Sequence, residues 1–236
     1  MPLYRFQLIS RYFRTFDYTT LDLGNEEDLP KVFQAAEPWS DHIQKVSAEF
    51  YTPGTNITVD ECMVPFTGRS KETTLVKGKP TPVGFKVWVI AQNGFFLRWL
   101  WHVKASPYTA VIIKMPSSQS KSQSQGKKRK PKEYVVLSNT QSVVIHLCKM
   151  LPKATYHVFT DNLFSSPNLF RALRETGYGA TDTARPNCGI TKELKDTKER
   201  DKAGSGPSLQ YNQVRAIPTG DSKVRSSDGT RMYFPY

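Results

Sequence analysis

The sequence predicts an α/β protein in which a mixed β-sheet is flanked by helices and preceded by a small helical region. Apolar residues recur at steps of three and four up to about residue 50, and strand-like runs follow between residues 56 and 103. Beyond residue 140, strand-like and helical segments alternate. Leading strands joined by a hairpin and followed by this alternation are typical of a mixed sheet with helices packed on it.

Two helical segments make up the predicted N-terminal region, residues 1–50. The first covers residues 1–16 and the second residues 29–50, where Pro38 is expected to divide the helix. Each carries an apolar stripe typical of an amphipathic helix. The stripes consist of Leu3, Phe6, Ile9 and Phe13 in the first segment and of Trp39, Ile43, Val46 and Phe50 in the second.

Three strands are predicted after a turn at Pro53 and Gly54, where the helical period ends. They cover residues 56–63, 84–91 and 95–103. Asn93 and Gly94 separate the last two, and this pair is favoured in tight turns that need positive φ. The second and third strands are therefore expected to form a hairpin.

Strands and helices alternate in the predicted second half. A helix at residues 140–151 precedes a strand at 155–160, and Ser165 or Ser166 caps a second helix whose first position is Pro167. A further strand is expected at 178–183. Residues 116–132 are rich in Ser, Gln and Lys and contain no acidic residue, which predicts a basic loop insertion that does not pack.

The charge favours a polyanionic partner. Lysine and arginine total 33 against 21 acidic residues, giving a net charge of +12. Nucleic acid is the commonest partner of such a surface. A basic protein without that partner is the alternative that charge leaves open.

Cysteine spacing and hydropathy limit the cellular compartments in which the protein is expected. Cys62, Cys148 and Cys188 lie far apart with no Cys-x-x-Cys pair, so neither a zinc site nor a disulfide framework is expected. No apolar stretch approaches the roughly 20 residues of a membrane span, and the N-terminus lacks the apolar segment of a signal peptide. We therefore expect no membrane association and a cytosolic or nuclear location.

Asp60 and Asp161 are the candidate catalytic residues. Asp60 lies on the first strand, and Asp161 follows the fourth. If the fourth strand lies parallel beside the first, the two carboxylates face each other at the end where open α/β sheets bind ligands. Paired carboxylates suit Mg²⁺, which activates water in phosphodiester cleavage. The alternative is that both are ordinary turn or strand-end residues.

The sequence segments around these two aspartates resemble those of a known family. Residues 51–61, which end in Thr-Val-Asp-Glu, are similar to the start of the piggyBac-type transposase domain, and residues 160–166, Thr-Asp-Asn-Leu-Phe-Ser-Ser, are similar to its Asp-Asn signature. Further similar segments follow the family order. They are Arg5-Phe6, Phe66-Thr67-Gly68-Arg69, Lys79-Pro80 with Gly84-Phe85-Lys86, and residues 179–185.

This resemblance implies a ribonuclease-H-like catalytic core at residues 51–236. It also implies magnesium-dependent DNA cutting and strand transfer at TTAA targets, and a homodimer. On this mapping Asp60 and Asp161 are metal ligands and the first two members of an Asp-Asp-Asp triad.

Two departures qualify this expectation. The family's third aspartate and its Cys/His-rich tail have no recognisable counterpart, so we expect a C-terminally truncated, DNA-binding relative with little or no cleavage activity. An active nuclease that uses Asp182 or Asp228 as a substitute third carboxylate is one alternative. A protein-interaction module that keeps the fold is another, and a product without function is a third.

Basic residues complete the expected DNA interface. Arg69 and Lys86 flank the expected metal site and are candidates to hold phosphate oxygens. The run Lys127, Lys128, Arg129 and Lys130 is a candidate for DNA-backbone contact and for nuclear import, which predicts a nuclear location. Solvated surface is the alternative for each of them.

Overall fold

A computed structural model describes residues 1–14, 16–21, 30–105, 108–114, 134–183 and 192–204. The predicted basic loop with Lys127, Lys128, Arg129 and Lys130 lies outside these residues, as does Asp228.

The described part of the chain contains six α-helices and one short 3-10 helix at Tyr18–Thr20. The α-helices are α1 (Leu3–Tyr12), α2 (Lys31–Gln34), α3 (Glu37–Phe50), α4 (Asn139–Lys149), α5 (Pro167–Glu175) and α6 (Lys192–Lys202). The predicted second helical segment is divided, as expected, but the break comes at Ala35 and Ala36. Pro38 instead lies in the first turn of α3, where proline is tolerated because the first amides have no helical acceptor.

Within the described residues, eight strands form one six-stranded sheet and one two-stranded sheet. The strands are β1 (Asn56–Pro65), β2 (Thr74–Leu75), β3 (Val83–Gln92), β4 (Phe95–Trp101), β5 (Ile112–Lys114), β6 (Tyr134–Val136), β7 (His157–Thr160) and β8 (Gly179–Asp182). The larger sheet has the order β2-β3-β1-β7-β8, with β4 also paired to β3. β1, β7 and β8 are parallel and β2 is antiparallel to β3, which confirms the predicted mixed sheet.

Two glycine-containing segments shape the strands of this sheet. Asn93 and Gly94 have φ values of 50° and 80°, so the predicted tight turn joins β3 to β4. A Cβ at Gly84 would lie 2.1 Å from the carbonyl oxygen of Val64. Glycine is therefore required where β3 passes β1, which gives a physical reason for the glycine in the Gly-Phe-Lys segment.

The chain divides into two compact units. One contains residues 1–53, 61–89 and 95–107, and the other contains residues 54–60, 90–94 and 108–236. The predicted boundary near residue 50 stays a prediction.

In the first unit, an aromatic cluster forms the core around α2 and β3. Phe33 is 1% exposed and contacts the rings of Phe85 and Trp101 at centroid distances of 5.4 and 4.8 Å. Phe66 packs on Phe85 at 4.5 Å. Aromatic contacts of this kind supply large buried apolar area.

The apolar stripe of α3 does not face this core. Trp39 is 56% exposed and Phe50 is 85% exposed, whereas the polar Ser40 and Gln44 are the buried residues of the helix. The reason is hydrogen bonding to β4. Ser40 Oγ accepts from the Trp99 indole N–H at 2.8 Å. An amphipathic pattern thus identified the helix but indicated the wrong face. The stripe of α1 is also exposed, since α1 has no buried residue.

In the second unit, two helices pack beside the parallel strands. α5 contacts β8, and α4 contacts α5. Ser138 caps α4 with a capping box that was not predicted from the sequence. Ser166 caps α5 ahead of Pro167, as predicted. The buried apolar side chains include Ile57, Val59, Val144, Leu147, Val158, Leu169 and Leu173.

None of the helices in the described ranges is long and apolar enough to cross a bilayer.

Candidate metal and nucleic-acid site

The parallel pairing of β1 with β7 sets Asp60 level with Asp161. Asn56 pairs with His157 and Thr58 with Phe159. Two more residues along each strand in the same register lead to Asp60 and Asp161. The expectation that the fourth predicted strand lies parallel beside the first is thereby confirmed, and both aspartates belong to the second unit.

A turn after β7 fixes the position of Asp161. Its Oδ1 accepts a hydrogen bond from the backbone N–H of Leu163 at 2.7 Å, and its carbonyl accepts from the N–H of Phe164 at 3.1 Å. Phe164 is fully buried and anchors the turn. The Asp-Asn sequence thus forms the turn that its residue types favour, and the same turn holds the carboxylate at the carboxyl end of the strand. Turn residue and candidate ligand are compatible roles.

Asp182 ends the neighbouring strand and is buried. It pairs with Thr160 across β7 and β8 and is 7% exposed. Burial is the main cause that raises the pKa of its carboxyl to about 6, and the charge of Asp161 is a smaller cause in the same direction. The hydroxyls of Thr160 and Ser165 lie near enough to lower this pKa in part. The backbone N–H of Thr183 also lowers this pKa, but none of these contacts has the geometry of a full hydrogen bond to either carboxylate oxygen, so burial dominates.

These carboxylates fit a hard divalent cation in donor chemistry. Mg²⁺ takes oxygen ligands, often one or two carboxylates with water or phosphate completing the shell. Asp182 pairs with Thr160, the residue before Asp161, so strand alternation directs its side chain to the opposite face of the sheet from Asp60 and Asp161. Within the described ranges, however, no three His, Cys, Asp or Glu side chains are already gathered as a metal cluster.

Glu61 has a different partner. It forms an ion pair with Lys79, with 3.5 Å between the Lys79 Nζ and Glu61 Oε1. Successive residues of a strand point to opposite faces, so Glu61 is not expected to join Asp60 at a cation. Lys79 belongs to the Lys-Pro segment of the family resemblance, and this contact gives it a structural role.

Arg69 lies in the loop after β1, in the first unit, and its side chain is exposed. It lines an open cavity of about 620 Å³ with Phe66, Ser70 and Lys71. Gly68 lies against the ring of Phe66, where a Cβ would come within 2.4 Å of the ring. The Phe-x-Gly-Arg segment thus forms a loop in which the side chain of Arg69 is exposed to solvent. Its role in DNA binding stays a prediction.

Lys86 lies on β3 of the first unit, where its Nζ sits 4.1 Å from the centre of the Trp88 ring. This cation–π contact engages the ammonium group. The ring of His102 lies edge-on to the ring of Trp88. Burial, together with the charge of Lys86, lowers the pKa of His102. The cation is therefore half-buried and paired with an aromatic face. A role for Lys86 in phosphate binding stays a prediction.

Thr160 and Ser165 are side chains at this site that the sequence did not single out as functional. Both hydroxyls lie near the carboxyl of Asp182. The signal was present in the motif itself, because both residues belong to the Thr-Asp-Asn-Leu-Phe-Ser-Ser segment. The buried environment of Asp182 depends on which side chains pack over β8, which no local pattern reports.

Comparison with known proteins agrees with this fold. A family of transposases, described as Transposase IS4, matches residues 1–216. PiggyBac transposable element-derived protein 2 of Homo sapiens is 28% identical over 212 residues, which are 88% of this chain and 31% of that protein. PiggyBac transposable element-derived protein 3 of Homo sapiens is 27% identical over 71% of this chain and 26% of its own length. The chain thus spans about a third or less of these relatives.

A solved structure supports the fold class. The chain superposes with a TM-score of 0.60 and 21% identity on a protein in the cryo-EM structure of a piggyBac transposase synaptic complex with hairpin DNA. The match covers 81% of this chain and 35% of that one. The predicted ribonuclease-H-like sheet is thereby confirmed. With the piggyBac-type resemblance also confirmed by the human relatives, the chain belongs to the transposase family described as Transposase IS4.

Proposed function

We propose that this chain is a piggyBac-type, transposase-derived protein that binds DNA and holds Mg²⁺ at Asp60 and Asp161. The observation that supports the metal site is the parallel register of β1 and β7, which sets Asp60 of β1 level with Asp161, the residue that follows β7. Bound there, Mg²⁺ would polarise a phosphate and lower the pKa of a bound water. Asp60 and Asp161 would hold and orient the cation.

Little or no DNA cleavage is expected from the chain itself. This expectation is supported by the described residues, among which no three metal-binding side chains are clustered. The test is a hairpin-forming and strand-transfer assay with purified protein, Mg²⁺ and a DNA end carrying TTAA. Absence of product is the expected result. Metal-dependent product would instead favour the active nuclease with Asp182 or Asp228, and Asp60→Ala should then abolish it.

DNA binding rests on charge and on the structural neighbour. The net charge of +12 favours phosphate contacts, and the neighbour was solved with hairpin DNA. The test is fluorescence anisotropy of a labelled duplex at several salt concentrations. We expect affinity to fall steeply with salt because counterions are released on binding. Undetectable binding at low salt would contradict this proposal and favour a protein-interaction module.

A nuclear location and a homodimer are the remaining parts of the proposal. The basic run from Lys127 to Lys130 is the candidate import signal. A fluorescent fusion should concentrate in nuclei, and alanine at all four positions should spread it through the cell. Light scattering on purified protein tests the dimer, and a monomer mass at micromolar concentration would contradict it.

A further inference from the structure

One face of the parallel strands carries exposed side chains beside Asp60. On β1, Ile57 is buried, whereas Thr58 and Asp60 are exposed. On β7, which pairs with β1 in parallel, Val158 is buried and Phe159 is 37% exposed. Because successive residues of a strand point to opposite faces, the exposed side chains share one face and the buried ones share the other.

Phe159 is a large aromatic residue on an interior strand of this exposed face. β7 lies between β1 and β8, and the register sets Thr58 on one side of Phe159 and Thr181 on the other. Both neighbours are small, polar side chains. Aromatic side chains supply much of the contact area in cores and interfaces, so a ring exposed at this position is suited to a ligand.

His157 supports the ring of Phe159 from the preceding position on the same face. The two ring centroids lie 4.8 Å apart. Nε2 of His157 shares a hydrogen bond of 2.7 Å with the hydroxyl of Thr181. A Cβ at Gly179 would lie 2.6 Å from Nδ1 of His157, so this glycine leaves room for the imidazole. The contacts to Thr181 and Gly179 hold His157 in place, and His157 in turn orients Phe159.

We propose that Phe159 is a stacking platform for an unpaired nucleobase of a DNA strand whose phosphate lies at the cation of Asp60 and Asp161. The inference rests on the proposed DNA-binding function and adds a contact to a base. Phe159 precedes Asp161 by two residues, about 7 Å at the rise of a strand, so one nucleotide can reach both. Every base has a π-face, so such a platform is tolerant of sequence.

A nucleic-acid occupant is favoured by charge. The net charge of +12 attracts a polyanion, and a cation at the two carboxylates would take a phosphate oxygen as a further ligand. All the residues of the platform and both aspartates belong to the second unit. An exposed ring that contacts no nucleic acid is the competing account.

Binding of single-stranded DNA tests the proposal. The probe is a labelled oligothymidine, which forms no duplex, and anisotropy in Mg²⁺ measures its affinity for the full chain. We expect Phe159→Leu, which keeps apolar bulk but loses the ring, to weaken binding about fivefold or more. Phe159→Tyr keeps the ring and should restore wild-type affinity. Phe96→Ala, at a 47% exposed aromatic position on β4, is the matched control and should bind as wild type does.

Photochemical crosslinking locates the base directly. An oligothymidine with one 5-iodouracil should crosslink to residue 159 on irradiation, as mapped by mass spectrometry. Affinity of Phe159→Leu within twofold of wild type, or crosslinks at other residues alone, would overturn the inference. A wild-type chain that binds duplex but not oligothymidine would also overturn it and leave the proposed DNA binding intact. A wild-type chain that binds neither probe would overturn both.

Discussion

Gln44 accepts, through its Oε1, a hydrogen bond from the backbone N–H of Trp99 at 3.0 Å. A helix side chain thereby satisfies an amide of β4, the strand that pairs only with β3 within the described sheet. The carbonyl of Gln44 also accepts from the guanidinium of Arg98. Covering a strand in this way leaves fewer open amides for pairing with another chain.

Removal of the Gln44 side chain should therefore destabilise the protein. In Gln44→Ala the amide of Trp99 loses its acceptor in a half-buried position, and we expect a decrease of about 1–2 kcal/mol in the free energy of unfolding. Ile43→Ala is the matched control, because Ile43 is 38% exposed on the same helix and its truncation should cost less. Urea unfolding measures the decrease in the free energy of unfolding for both variants. Equal decreases would contradict the role assigned to Gln44.

Asp182 should make stability depend on pH. Its folded pKa of about 6 lies above the ordinary value of 3.8, so the folded state binds more protons than the unfolded state between these values. Stability should therefore fall as pH rises from about 4 to 6, by at most on the order of 3 kcal/mol. Asp182→Asn should remove this decline and be more stable than wild type at pH 7.5.

Urea unfolding at a series of pH values in EDTA measures this effect. The quantity of interest is the difference between the wild-type and Asp182→Asn profiles, since other groups titrate in both proteins. Asp41→Asn, at an exposed position on α3, is the matched control and should run parallel to wild type. Parallel profiles for Asp182→Asn and wild type would show that the carboxyl of Asp182 does not titrate abnormally in the folded state.

Two substitutions of Asp161 should differ in stability while sharing a metal defect. Asp161→Ala removes the acceptor of the 2.7 Å hydrogen bond from Leu163 and should cost about 1 kcal/mol. Asp161→Asn keeps a side-chain oxygen for that turn and should cost less. Both lack the carboxylate charge, so both should weaken Mg²⁺ binding. If both variants unfolded at the same urea concentration, the turn hydrogen bond would not contribute to stability.

Features set by local sequence could be predicted, whereas features set by tertiary contacts could not. Local signals worked at α5, where Ser166 and Pro167 define the helix start, and at Asn93 and Gly94. The apolar stripe of α3 gave the wrong buried face because the amides and indoles of β4 needed polar partners, which is a tertiary requirement. The site followed the same rule. Sequence motifs identified Asp60 and Asp161. The burial of Asp182 depends instead on the side chains that surround it at the end of β8, which no local motif reports.

Neutralisation of the basic run should weaken DNA binding without altering sequence preference. Alanine at Lys127, Lys128, Arg129 and Lys130 removes up to four positive charges that can pair with phosphates, and such pairing reads no base. We expect the slope of log affinity against log salt to become shallower by about 0.9 for each phosphate that the variant no longer neutralises. Anisotropy titrations of one labelled duplex between low and physiological salt give that slope.

A matched charge change elsewhere is the control for this last prediction. Lys149→Ala with Lys192→Ala removes exposed positive charge from α4 and α6, away from the run in sequence. If non-specific net charge alone governed binding, this double variant would reduce the slope by about half as much as the four-residue variant does. A much smaller reduction would assign the phosphate pairing to the basic run itself. An unchanged slope in the four-residue variant would mean that these residues remain solvated when DNA binds.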